Sequence, residues 1–137
     1  MALAPELRKA QEIVAALKSP DESLFFLVTP EKFAGNLTTY RVFAETQYQA
    51  KFRDYEKIAE SDMKLDGKTG IRLVWRGKSP DNGVPLEFLV YILPYEGRMI
   101  RLSFFTLEPL FKDAVPTFEK IGLSYRTLGP EQKANHQ

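Results

Sequence analysis

The chain has 137 residues, 44% hydrophobic and 27% charged, which suits one globular domain with a core of its own and excludes an intrinsically disordered chain. Nineteen basic residues against eighteen acidic leave a net charge of +1, with the two signs interleaved. The clustered Lys and Arg of a nucleic-acid or anionic-membrane binder are therefore missing. Cysteine is absent, which removes thiol nucleophiles, disulfides and zinc-thiolate sites together.

Residues 1–5 lead into a charged helical pattern without the apolar core of a signal peptide, so the chain reads as cytoplasmic if this N-terminus is native. Leu7, Ala10, Val14 and Leu17 follow Pro5 at helical spacing and predict an amphipathic helix over 5–18. The apolar run 24–28 predicts a strand buried on both faces, and residues 30–36 a loop. Alternation over 37–44 predicts a second strand, and the spacing of Tyr48, Phe52 and Tyr55 a short helix over 46–54.

A strand over 57–65, with Ala59 and Met63 inward, runs into Asp66-Gly67, whose tolerance of positive φ marks a hairpin. Ile71, Leu73 and Trp75 alternate with Arg72 and Arg76 in the next strand, which stops at Gly77, and residues 79–83 form a loop by composition. In the following strand both sets of alternating positions are apolar: Leu86, Phe88, Val90 and Ile92 on one side, Leu89, Tyr91 and Leu93 on the other. That pattern belongs to a central strand covered on two sides. A turn at 94–97 returns the chain as a strand over 99–107. Pro116 is expected to break the last helical pattern, leaving a short turn and then a helix beginning at that proline. The whole reads as one α+β domain over 1–137: an antiparallel meander of about five to six strands, covered by helices as an α/β/α sandwich. Sheet and helices occupy 23–128, and the polar tail 129–137 is expected to fray.

No motif in the chain carries catalysis or a cofactor. Gly67-Lys68-Thr69 has Asp62 where a phosphate-binding loop needs glycine, and it sits between two strands. The one histidine, His136, lies in the tail and lacks a scaffold to orient it. Asp62, Asp66 and Asp81 lack the spacing of a calcium loop, so no metal ligand set is assigned. Glu60 and Glu87 are expected to pair across the sheet with Arg72, Arg76 or Arg101 and not with another acid. Asn36-Leu37-Thr38 fits the N-glycosylation pattern. Trp75, Tyr91 and Tyr95, with Arg72 and Arg76, are the candidate contacts for a partner or a pocket, most other aromatics falling on core faces.

The segments AGNLTTYRVFAE, YEKIAESDMKLDGKTGIRLVWRG, EGRMIRLSFFTLE and VPTFEKIGLSYRTL carry a resemblance. Its most specific part is a glycine-arginine turn feeding a strand, then a helix with Pro116, Phe118 and Glu119, and the pair Ser124 and Tyr125. In these the chain resembles the superfamily that joins the PsbP extrinsic proteins of photosystem II, related bacterial lipoproteins and exported domains, and the Ran guanine-nucleotide release factor. The resemblance implies an antiparallel sheet covered by helices on both faces, docking to other proteins, and an exported setting such as periplasm or thylakoid lumen. It implies no cofactor, and no functional residue transfers. The family usually begins with a strand hairpin, where this chain is expected to place its helix 5–18. Two functions follow as expectations: a non-enzymatic protein-binding adaptor, or a small-ligand binder or weak hydrolase with a pocket lined by Phe52, Trp75 and Tyr91.

Overall fold

The computed structural model describes residues 2–3, 15–18 and 23–124. In chain order these form β1 (Ala2–Leu3), β2 (Ala15–Lys18), β3 (Leu24–Lys32), α1 (Leu37–Lys51), β4 (Arg53–Leu65), β5 (Lys68–Lys78), β6 (Pro85–Tyr95), β7 (Arg98–Leu107) and α2 (Glu108–Ser124). One open sheet runs in the order β1-β2-β3-β7-β6-β5-β4, every neighbouring pair antiparallel. Three hairpins join β4 to β7 as a meander, while α1 carries the chain from β3 across the sheet to the far edge. The α+β meander read from alternation is the observed fold.

Strand β6 explains the layering. All six residues from Phe88 to Leu93 are buried, so both of its faces need cover. Leu89, Tyr91 and Leu93 pack with Val74, Leu102 and Phe104 under Phe111, Ala114 and Phe118 of α2. Phe88, Val90 and Ile92 pack with Ile71, Leu73 and Trp75 under Tyr40, Ala44 and Tyr48 of α1. On the α1 side a row of rings crosses four strands: Phe25 to Phe105 at 5.0 Å, Phe105 to Phe88 at 4.9 Å and Phe88 to Trp75 at 3.9 Å, all stacked. Those four positions are register partners, so the cross-strand pairing that sets the sheet also aligns the rings.

Several expectations are corrected. Residues 37–44 are helix, and α1 runs unbroken from Leu37 to Lys51. The Asn36 side chain caps it by accepting from the Thr39 backbone N–H at 2.8 Å, and Tyr40, Ala44 and Tyr48 form a stripe at intervals of four that outweighs the β-branched Thr38, Thr39 and Val42. Tyr48, Phe52 and Tyr55 do converge, on Trp75, although only Tyr48 is helical: Phe52 is the C-cap and Tyr55 belongs to β4. Residues 30–32 extend β3 and are not loop, because they pair with β7. Ala59 is exposed, since β4 is an edge strand with register shifts between Arg53 and Glu56 and between Lys57 and Ala59. Helix α2 starts at Glu108 and passes through Pro116 without a break; Phe111, Ala114 and Phe118 hold it on the sheet on both sides of the proline.

Within the predicted N-terminal helix, residues 15–18 are strand β2, paired with β3, and the exposed backbone of β3 is what captures them. Residues 5–14 of that helix, and the tail 129–137, lie outside the described residues. With β1 and β2 antiparallel, the N-terminal departure from the resemblance is corrected in its described part.

The Asp66-Gly67 hairpin is present, and Glu96-Gly97 repeats it: both pairs have positive φ at each residue, the two-residue geometry whose twist matches antiparallel strands. Gly70 is constrained differently. A Cβ there would stand 2.4 Å from the Ile92 carbonyl oxygen of the neighbouring strand. Gly70→Ala is expected to destabilise the fold by about 1–3 kcal/mol, read from the midpoint shift in urea denaturation.

Candidate functional site

Polar side chains fasten each helix to the sheet. On the α1 side, Arg101 of β7 is buried and donates from Nη2 to Glu31 Oε1 at 2.5 Å, the Tyr40 hydroxyl at 2.8 Å and Gln47 Oε1 at 2.8 Å. Its Nη1 donates to the Tyr48 hydroxyl at 3.3 Å. Tyr40 in turn donates to Glu31 in a short hydrogen bond. One guanidinium thus ties β3, β7 and α1 together, spending its donors in a place where an unmade hydrogen bond is costly. Burial pushes the Tyr40 and Tyr48 hydroxyls above their ordinary range, so both remain neutral at physiological pH.

A second set joins α1 to the edge strand. Arg41 holds Glu45 at 2.6 Å and Glu60 at 3.4 Å, and Lys57 holds Glu45 at 3.0 Å and Glu60 at 2.9 Å. On the opposite face, Arg72 holds Glu119 of α2 at 2.8 Å, while Arg76 reaches Glu108 at 3.4 Å and Glu56 at 2.9 Å. These arginines do take carboxylates, but Glu60 pairs with Arg41 and Lys57, away from Arg72, Arg76 and Arg101.

Glu87 shares this neighbourhood. Partial burial, with the Glu108 and Glu56 charges beside it, raises its carboxyl above the ordinary range in spite of Arg76. A carboxyl raised on folding favours the folded state most below its unfolded pKa, and that advantage is lost as pH rises through the raised folded value.

The sequence candidates are dispersed by the fold. Trp75 is fully buried against α1, between Tyr48 at 4.2 Å and Phe88 at 3.9 Å, and its Nε1 has no hydrogen-bond partner among the described residues. Tyr91 is buried in the opposite layer beneath α2, where its ring would meet any Cβ added at Gly122. One pocket lined by Phe52, Trp75 and Tyr91 is therefore ruled out, because Tyr91 projects from the other side of the sheet. Arg72 and Arg76 are partly exposed and engaged with α2. Tyr95 borders a concavity that the other four do not line.

That concavity, of about 470 Å³, opens at the end of the sheet where the Asp66-Gly67 and Glu96-Gly97 turns meet the loop after β3. Phe33, Pro94, Tyr95 and Met99 form its apolar walls, with Lys68, Glu96 and Arg98 around them. Lys68 Nζ stands 5.5 Å above the centre of the Tyr95 ring. Sequence reasoning found Tyr95 and missed Phe33, Lys68 and Arg98, which lie far apart in the chain and meet only through the strand order. Among the described residues no three His, Cys, Asp or Glu side chains are grouped to hold a metal ion, and no helix is long and apolar enough to cross a membrane.

Neither protein-family models nor curated proteins show a match to this sequence. Solved structures do match in fold. The crystal structure of PA94 from Pseudomonas aeruginosa, a protein of unknown function and candidate regulator, superposes with a TM-score of 0.70 at 9% identity, over 83% of this chain and 81% of that one. The solution structure of the cyanobacterial PsbP (CyanoP) from Synechocystis sp. PCC 6803 gives 0.66 at 17% identity, over 87% and 76%. The chain is similar in fold to both.

Two outcomes follow. Arg101→Met is expected to cost about 2–3 kcal/mol by leaving the part-buried Glu31 carboxylate without its cation, and adding Glu31→Leu should recover part of that loss, as a double-mutant cycle in urea will show. Glu87→Gln should raise the melting temperature relative to wild type at pH 7, with the gain shrinking as pH falls through the raised native carboxyl value and gone below the ordinary carboxylate range, where both states are protonated.

Proposed function

We propose, with the fold shared with the cyanobacterial PsbP as premise, that this chain is a non-enzymatic adaptor that acts by binding another protein. The observation that carries this reading is the hairpin-end concavity: open to solvent, walled by apolar side chains and bordered by cations. A reacting bond is helped by a site that closes and excludes water, whereas an open surface of this composition suits recognition. The buried polar groups support the reading too, since Arg101, Glu31, Tyr40 and Tyr48 satisfy one another. Of the residues singled out from sequence, Tyr95 stays with the recognition surface, Arg72 and Arg76 border the α2 face, and Trp75 and Tyr91 shape the core beneath. The PsbP-like fold also supports an exported setting, periplasm or thylakoid lumen.

A concavity of about 470 Å³ falls within the range of small-molecule sites, roughly 300–1,000 Å³, so a small-ligand binder is the competing reading. Capture from cell fractions on immobilised domain, read by mass spectrometry over a concentration series, separates the two. The adaptor reading expects a saturable protein partner that is lost on charge reversal at one face of the domain and kept on reversal at the others. A column that retains no saturable protein, together with a melting temperature raised by members of a small-molecule panel, would replace it with the ligand binder.

A further inference from the structure

We propose that the hairpin end is a docking site for an acidic peptide segment of the partner, one that sets a carboxylate beside an apolar or aromatic side chain. This deepens the adaptor reading and rests on it. Two cations stand in register here: Lys32 of β3 lies directly opposite Arg98 of β7, at the last position of their pairing, and both are exposed. Like charges directly opposite on adjacent strands destabilise a sheet, and a carboxylate between them removes that repulsion. The sheet's other described arginines in β5 and β7 already hold carboxylates: Arg72 with Glu119, Arg76 with Glu56 and Glu108, Arg101 with Glu31. Lys32 and Arg98 hold none among the described residues.

Apolar surface adjoins this pair. Tyr95 is the register partner of Arg98 on β6, and Lys68 stands over its ring, so cations and an aromatic lie along one row across four strands. Phe33, Pro94 and Met99 complete the apolar lining of the concavity, and outside it Phe43 of α1 stands beside Phe33 with ring centres 5.6 Å apart and 38% of its surface exposed. A short segment with one apolar anchor and flanking acids complements both parts, since Arg binds carboxylate in a two-pronged, charge-assisted pair. A phosphate backbone fits less well: it needs a longer run of cations, and Asp66 and Glu96 interrupt this one.

The test is an NMR titration of isotopically labelled protein with the blocked pentapeptide Glu-Asp-Phe-Glu-Asp, and with its uncharged counterpart Gln-Asn-Phe-Gln-Asn. The proposal expects saturable amide shifts at residues 32–35, 68 and 95–99. Affinity should fall about tenfold or more for the uncharged peptide and for the K32E/R98E variant, the loss of one charge-assisted pair. Both positions are exposed, and an unchanged melting temperature will show that the variant folds. Shifts centred elsewhere, equal affinity for the uncharged peptide, or undiminished binding by K32E/R98E would overturn it. Capture from lysate on wild-type and variant columns separates the two levels of the argument. A saturable partner retained equally by K32E/R98E sinks the docking site while the adaptor reading stands. If wild type retains no partner the adaptor reading falls, and the peptide titration still decides what the hairpin end binds.

Discussion

A strand that is apolar on both faces needs two covers, and β6 imposes that requirement on the rest of the chain. From Phe88 to Leu93 each residue is buried, alternately toward α1 and toward α2. Sheet order follows the same need: β5 and β7 flank β6, β5 adding Ile71, Leu73 and Trp75 to the α1 layer and β7 adding Ile100, Leu102 and Phe104 to the α2 layer. The chain meets the demand by sending α1 across one face between β3 and β4, and by running β7 into α2 across the other. The aromatic row from Phe25 to Trp75 runs through the α1 layer, and Phe104 meets Phe118 at 5.3 Å in the α2 layer.

Two covers have to be positioned as well as attracted, because apolar burial has no direction. The charged groups supply the direction. Arg101 aligns α1 with β3 and β7; Arg41 and Lys57 align it with β4; Arg72 and Arg76 align α2 with β5. Many titratable groups that would draw notice as catalytic candidates are thereby committed to holding helices, and Glu87 is raised chiefly by its partial burial, with the Glu108 and Glu56 carboxylates adding to it. The hairpin end is where this economy stops, leaving Lys32 and Arg98 facing each other beside an apolar hollow.

Strand periodicity made the meander legible: in β6 both alternating sets are apolar, which is the same fact as two-sided burial, and in β5 the alternation of Ile71, Leu73 and Trp75 with Arg72 and Arg76 marks the face turned to α1. Asp66-Gly67 was legible for an equally local reason, its positive φ. What misled was local signal that long-range contacts outweigh. The alternation over 37–44 suggests a strand, while the deciding features are the Asn36 cap and a stripe completed by Tyr48, beyond that window. Pro116 costs α2 a hydrogen bond, and Phe118 on the sheet offsets it. At the hairpin end Tyr95 could be found by its chemistry, whereas Phe33, Lys68 and Arg98 could not. Their proximity depends on β3 pairing with β7, which no local pattern announces.

The likeness to PA94 and to the cyanobacterial PsbP, at 9% and 17% identity, shows the fold, and the case for recognition over catalysis rests on the use this chain makes of its own side chains. Its central claim is that α1 and α2 are fixed covers, neither of them a lid over the buried Trp75. Native-state hydrogen exchange resolved by residue tests that claim most directly. Fixed covers require amides of residues 44–48 in α1 and of Ala114, Val115, Thr117 and Phe118 in α2 to exchange with the same opening free energy as 88–93 in β6, through global unfolding alone. If α1 exchanged through a local opening well below that of β6, it would be a lid, and the aromatic layer around Trp75 would be a gated ligand site in place of a core.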